Sequence, residues 1–159
     1  MADVTKSSQP GKSYKEYLTD LEKLFEEYLH KKAPALPEGV KEAIVRFGPW
    51  ITLIMMILAA PVLLAALGIG TFLSPFAFMG GINAGFGYMA GLLFSVVVIV
   101  LELIALPGLF KREMKSWRLM YYVTLLNAVH NAISLNISGL VIGTLLSMYI
   151  LFQVREYYK

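Results

Sequence analysis

Cysteine is absent from this chain, which removes disulfides, thiolate chemistry and cysteine-ligated metal. Charge is scarce: 16% of the residues are Asp, Glu, Lys or Arg, against about 25% in soluble domains. The scarcity is local. No charged residue lies between Phe47 and Leu101, and none between Leu119 and Val154. Catalytic signatures are missing too. There is no HExxH, no nucleophile elbow, no phosphate loop and no pair of carboxylates on one helix face. No enzymatic activity, metal or cofactor is therefore expected.

What fills the gap is hydrocarbon. Hydrophobic residues make up 57% of the 159, against roughly 45–50% in soluble domains. They run in continuous blocks instead of at amphipathic spacing, which a bilayer demands and a water-facing surface forbids. No secretory signal peptide is expected, because the first apolar block follows a charged stretch. The net charge of +3 does not point to nucleic acid, because the basic residues are placed for membrane orientation.

Residues 1–12 are polar and read as a disordered tail. Residues 13–32 read as an amphipathic helix opened by a Ser13/Glu16 capping box. Tyr14, Leu18, Leu21, Phe25 and Tyr28 form one stripe, which Tyr17 and Leu24 broaden. The opposite face mixes Glu and Asp with Lys, unlike the basic face of a membrane-surface helix. The stripe is expected to dock on protein, a second copy included. Residues 33–48 form a stiff Pro-containing spacer and a short helix beginning after Pro37.

The membrane domain is expected over residues 49–154, with spans at about 49–67, 84–106, 117–135 and 137–154. Pro61 is expected to kink the first span. Residues 68–83 read as an interfacial or partly re-entrant segment. The basic turn carries the topology determinants Lys111, Arg112, Lys115 and Arg118. A tight turn at Asn136 joins the last two spans, too close to the bilayer for its glycosylation sequon to be used. All fourteen Lys and Arg residues lie in the N-terminal segment, the central turn or the tail 155–159. The positive-inside rule then makes both termini cytoplasmic in a plasma (inner) membrane. The fold class is all-α, a membrane four-helix bundle of two hairpins with an N-terminal cytoplasmic helix.

Two small-residue stripes, Gly87/Gly91/Ser95 and Gly139/Gly143/Ser147, are expected to pack helix against helix. Their likeness is consistent with a parallel internal repeat, or with convergence on small residues every fourth position. Glu102 is the one carboxylate in the apolar blocks, and intramembrane acids are functional candidates by default. Lying about 7–8 Å from the inner boundary, it can pair with Lys115 or Arg118, hold an ion or proton, or meet a partner. Thr124, Asn127, Asn131 and Ser134 form a polar stripe with His130 beside it. With no second histidine in the membrane, His130 is not expected to hold haem or pigment.

The segments PGLFKREMKSWRLMYY and LFQVREYYK resemble those of small four-span membrane proteins of bacteria. That likeness covers mainly the second hairpin, attaches no activity and carries over no functional residue. Two readings follow. The first is a non-enzymatic scaffold or accessory subunit that meets a second copy or another membrane protein in the lipid bilayer. The second is a small oligomeric transporter or channel, proton-coupled through Glu102, with Asn127, His130 and Asn131 lining the path.

Overall fold

The computed structural model describes residues 13–159, and the expected disordered tail lies outside them. Five α-helices follow one another: α1 (Tyr14–Phe25), α2 (Glu38–Ala77), α3 (Ile82–Phe110), α4 (Met114–Ile133) and α5 (Thr144–Gln153). A π-helical segment, Glu26–Lys32, extends α1, and another, Gly139–Gly143, leads into α5. No strand occurs among the described residues, so the all-α expectation stands.

The helix bounds correct two expectations. The short helix after Pro37 and the first apolar segment are one unbroken helix of 40 residues, about 60 Å long. The second is the boundary expected at residue 67: the same helix runs on to Ala77 and takes in most of 68–83. Pro49, Pro61 and Pro75 all lie inside it. A helical proline frees the carbonyl four residues earlier, which neighbouring Ser or Thr hydroxyls can satisfy. Ser74 does this for Pro75, donating its hydroxyl to the Thr71 carbonyl at 2.7 Å. The chain then reverses in a 3₁₀ turn, Phe78–Gly80. Gly81 has φ 108°, a backbone conformation that side chains disfavour.

Helices α2, α3, α4 and α5 pack in sequence, each on the next, and the π-helical end of α1 packs on α5. The hairpin turns share one device. After α3, Glu113 N–H donates to the Gly108 carbonyl and Arg112 N–H to that of Leu109, with Arg112 at φ 58°. Leu135 at φ 53° ends α4 in the same way. These are Schellman closures, normally built on glycine.

Two stretches, Glu38–Gly80 and Ile82–Phe110, are long and apolar enough to cross a membrane. The apolar helix Gly139–Gln153 is shorter, and α4 is diluted by Lys115, Arg118, two asparagines and His130. Burial is uneven along the bundle. Far from the basic end, large apolar side chains point outward, as with Phe72 at 80% and Ile133 at 76% exposure. The fully buried large side chains, Trp117, Tyr121, Met148, Phe152 and Gln153, all belong to the basic end. Trp117 and Phe152 meet edge to face at 5.3 Å, and Phe25 of α1 closes over Phe152 at 6.1 Å. Such aromatic pairs add about 0.5–1.5 kcal/mol each beyond area burial.

Candidate functional site

Two features stand out where the helices converge: a polar clamp at the basic end and a cleft just beyond it. The clamp is built from three segments distant in sequence. Arg155 pairs with Glu22 at 2.9 Å and Glu26 at 2.5 Å, and its guanidinium lies 5.2 Å from the Trp117 ring centre. Lys41 at the start of α2 pairs with Glu156 at 2.8 Å. The backbone of Lys159 donates to Arg112 and accepts from Met114. The N-terminal segment, the central turn and the tail are thus held together at one end. Buried Gln153 ties in the spacer: its amide nitrogen donates to the Leu29 carbonyl at 2.8 Å, and its oxygen accepts the Leu36 N–H at 3.1 Å. Tyr149 donates to the Pro34 carbonyl at 2.6 Å.

The helix of residues 13–32 therefore docks on its own chain, through Phe25, Leu29 and its acidic face. Of the expected stripe, Tyr14, Leu18, Leu21 and Tyr28 stay exposed. The capping box is seen in Glu16, whose carboxylate accepts the Ser13 N–H at 3.0 Å.

The cleft has a volume of about 500 Å³ and draws its walls from four helices. Glu102 of α3 meets Thr124, Asn127 and Asn131 of α4 there, together with Thr52 of α2 and Thr144 of α5. Gly139, Gly143 and Ser147 form an edge of it. At Gly139 an added Cβ would lie 2.5 Å from the Asn136 Nδ2 and 2.8 Å from the Asn131 Oδ1, so a larger residue has to displace these two amides. A Cβ at Gly143 would meet nothing within 4 Å, so this position opens on the cleft and packs no helix.

Several cleft groups are already oriented. Thr124 donates to the Met120 carbonyl at 2.9 Å and Asn127 to that of Val123 at 3.1 Å, which leaves the Asn127 oxygen as an acceptor. Asn131 Oδ1 accepts from Asn136 at 3.2 Å. Glu102 is different. It is half-buried, and among the described residues no hydrogen bond or ion pair holds it. Arg118, one expected partner, faces Glu22 instead at 4.0 Å.

Other expected site residues lie elsewhere. His130 is outside the cleft wall and stacks on Phe94, with ring centres 4.1 Å apart and planes 11° from parallel. It braces α3 against α4. Gly87 and Gly91 have nothing within 4 Å of an added Cβ, and the Ser95 hydroxyl bonds back to the Gly91 carbonyl at 2.9 Å. That stripe packs no helix of this chain.

No family model, curated protein or solved structure matches the chain. Function has to be read from the geometry.

Sequence reasoning missed Thr52, Thr144 and Gln153. Gln153 carried a signal, being the lone side-chain amide between Ile137 and Val154. Thr52 and Thr144 carried none, because threonine is common in membrane helices for its backbone bond alone.

Proposed function

We propose that the chain is a four-span integral membrane protein that binds a cation at Glu102 and moves it, as a small transporter or channel. In this reading α4 and the helix ending at Gln153 cross the bilayer beside the two longer helices. The basic clamp faces the cytoplasm, in keeping with the positive-inside rule.

The observation that carries the reading is an unpaired carboxylate facing a largely apolar cleft whose few polar groups, Thr52, Thr124, Asn127, Asn131, Thr144 and Ser147, come from three other helical segments. Placing a carboxylate within a membrane helix costs about 2.5–3.5 kcal/mol on insertion scales. A structural anchor would recover that cost through a resident cation. Glu102 instead presents its charge to a space large enough for a ligand, with acceptor oxygens around it.

The test is flux into liposomes holding the purified protein and a trapped pH-sensitive dye. An imposed potential should drive cation or proton entry that Glu102→Gln lowers by about tenfold or more, as expected when a buried charge loses its partner. Equal flux in wild type and variant would remove Glu102 from the mechanism.

A second reading, a non-enzymatic scaffold or accessory subunit, is favoured by the Gly87/Gly91/Ser95 stripe. Its open face suits the close approach of a helix from a second copy or from another membrane protein. The mass of the assembly in a gentle membrane extract distinguishes these cases, and Gly91→Leu should dissociate it.

A further inference from the structure

Glu102 borders a second hollow. On the other side of the carboxylate, a groove of about 660 Å³ runs between α2 and α3. Its walls include Met55, Met56 and Leu63 of α2 and Ile99 and Leu103 of α3. Thr52, Glu102 and Met120 belong to the groove and the polar cleft alike. The Thr52 hydroxyl is already committed to the Gly48 carbonyl at 3.0 Å. Glu102 is therefore the one charge on an otherwise apolar wall, at the point where that wall meets polar side chains.

We propose that the occupant of this groove is a lipophilic organic cation, whose apolar body lies between α2 and α3 and whose positive charge rests on Glu102. This rests on the cation-binding reading above and gives it a substrate class. The volume falls in the range of about 300–1,000 Å³ usual for sites of drug-sized ligands. The charge selects the sign. An anion would meet like charge, and a neutral acyl chain would leave a carboxylate facing hydrocarbon without a counter-charge. A bare metal ion needs several oxygen ligands, which this groove does not supply. Methionines on the wall re-pack readily around ligands of different shape. The groove opens along helices whose outer faces are apolar, so the ligand enters from the bilayer, while the polar cleft behind Glu102 receives its charged head.

Binding of radiolabelled tetraphenylphosphonium to the full chain in nanodiscs tests the proposal, with empty nanodiscs subtracted. Saturable binding is expected. Glu102→Gln should weaken it about tenfold or more, while Glu102→Asp keeps most of it. Ala59→Trp, which fills the groove from the α2 side, should weaken it as well. Triphenylphosphine oxide, similar in shape and uncharged, should not compete. Equal binding by wild type and Glu102→Gln would mean simple partitioning and overturn the proposal, as would displacement by triphenylphosphine oxide. A co-purifying lipid that tetraphenylphosphonium fails to displace would overturn it too. Glu102-dependent flux of protons or metal ions without tetraphenylphosphonium binding would overturn the substrate class and leave the cation site standing. No Glu102 dependence in either assay would remove both.

Discussion

Gln153→Met should release the N-terminal strap from the bundle. The side chain is fully buried, and its two bonds reach the Leu29 carbonyl and the Leu36 N–H on either side of the spacer. Met fills nearly the same volume but satisfies neither group. A buried polar group left unpaired costs about 1–3 kcal/mol, so two cost at least roughly 2 kcal/mol while the strap stays docked. Undocking rehydrates both groups, so the whole penalty falls on the docked state. At about 1.4 kcal/mol per factor of ten, the strap should open about 30 times more often. Trypsin cleavage after Lys32, exposed beside the spacer, reads that opening when docking is fast relative to cleavage. Tyr149→Phe, which deletes one bond of about 1 kcal/mol, should give about a fivefold rise. Cleavage of Gln153→Met at the wild-type rate would refute the claim that Gln153 holds the strap.

Two further predictions concern the same end. The hydrogen bond between Lys41 and Glu156 holds the glutamate below its ordinary pKa of 4.5 and the lysine above its ordinary 10.5. The carboxylate's contribution is complete above its unfolded pKa and lost as pH falls through the lowered folded one; the lysine's is lost only as pH rises through its raised one. The pair should therefore hold across neutral pH. Spin labels at Lys31→Cys and Lys115→Cys, introduced into a cysteine-free chain, should keep their distance from about pH 5 to about pH 10. Lys41→Met should widen that distance at neutral pH, and no change would show that the pair does not brace the clamp. Gly108→Ala should destabilise the α3–α4 turn by about 1–3 kcal/mol, because its Cβ would overlap the Ser116 Oγ. Thermal unfolding in detergent should show the loss, and adding Ser116→Gly should recover most of it.

The clustering of the three basic segments was legible from the charge distribution alone, because the stretches between them are apolar and almost free of charge. Residue spacing likewise placed Thr124, Asn127 and Asn131 on one face, and the cleft gathers all three with Glu102. His130, one residue aside, turned instead to Phe94, since a flat ring finds stacking area there. The unbroken α2 was not legible. Proline inside a span reads as a kink, and whether a hydroxyl replaces the missing amide depends on rotamers such as that of Ser74. The docking of α1 was visible only as a stripe. That its occupant is the same chain depends on Glu22 and Glu26 meeting Arg155, more than 125 residues away.

The two hairpins differ in reach. Helix α3 has 29 residues and α4 has 20, about 44 Å against about 30 Å. If all four helices cross the bilayer as proposed, a hydrocarbon core of about 30 Å matches α4, while Gly139–Gln153, at about 22 Å, falls short of it. Around the first hairpin, the membrane has to thicken or the helices have to tilt, at fractions of a kcal/mol per Å. In the proposed four-span arrangement the molecule would be a wedge in hydrophobic length, tall on one flank and short on the other. Lipids beside it feel a thickness gradient across a single protein, and a thicker bilayer would favour the tall flanks of neighbouring copies facing one another.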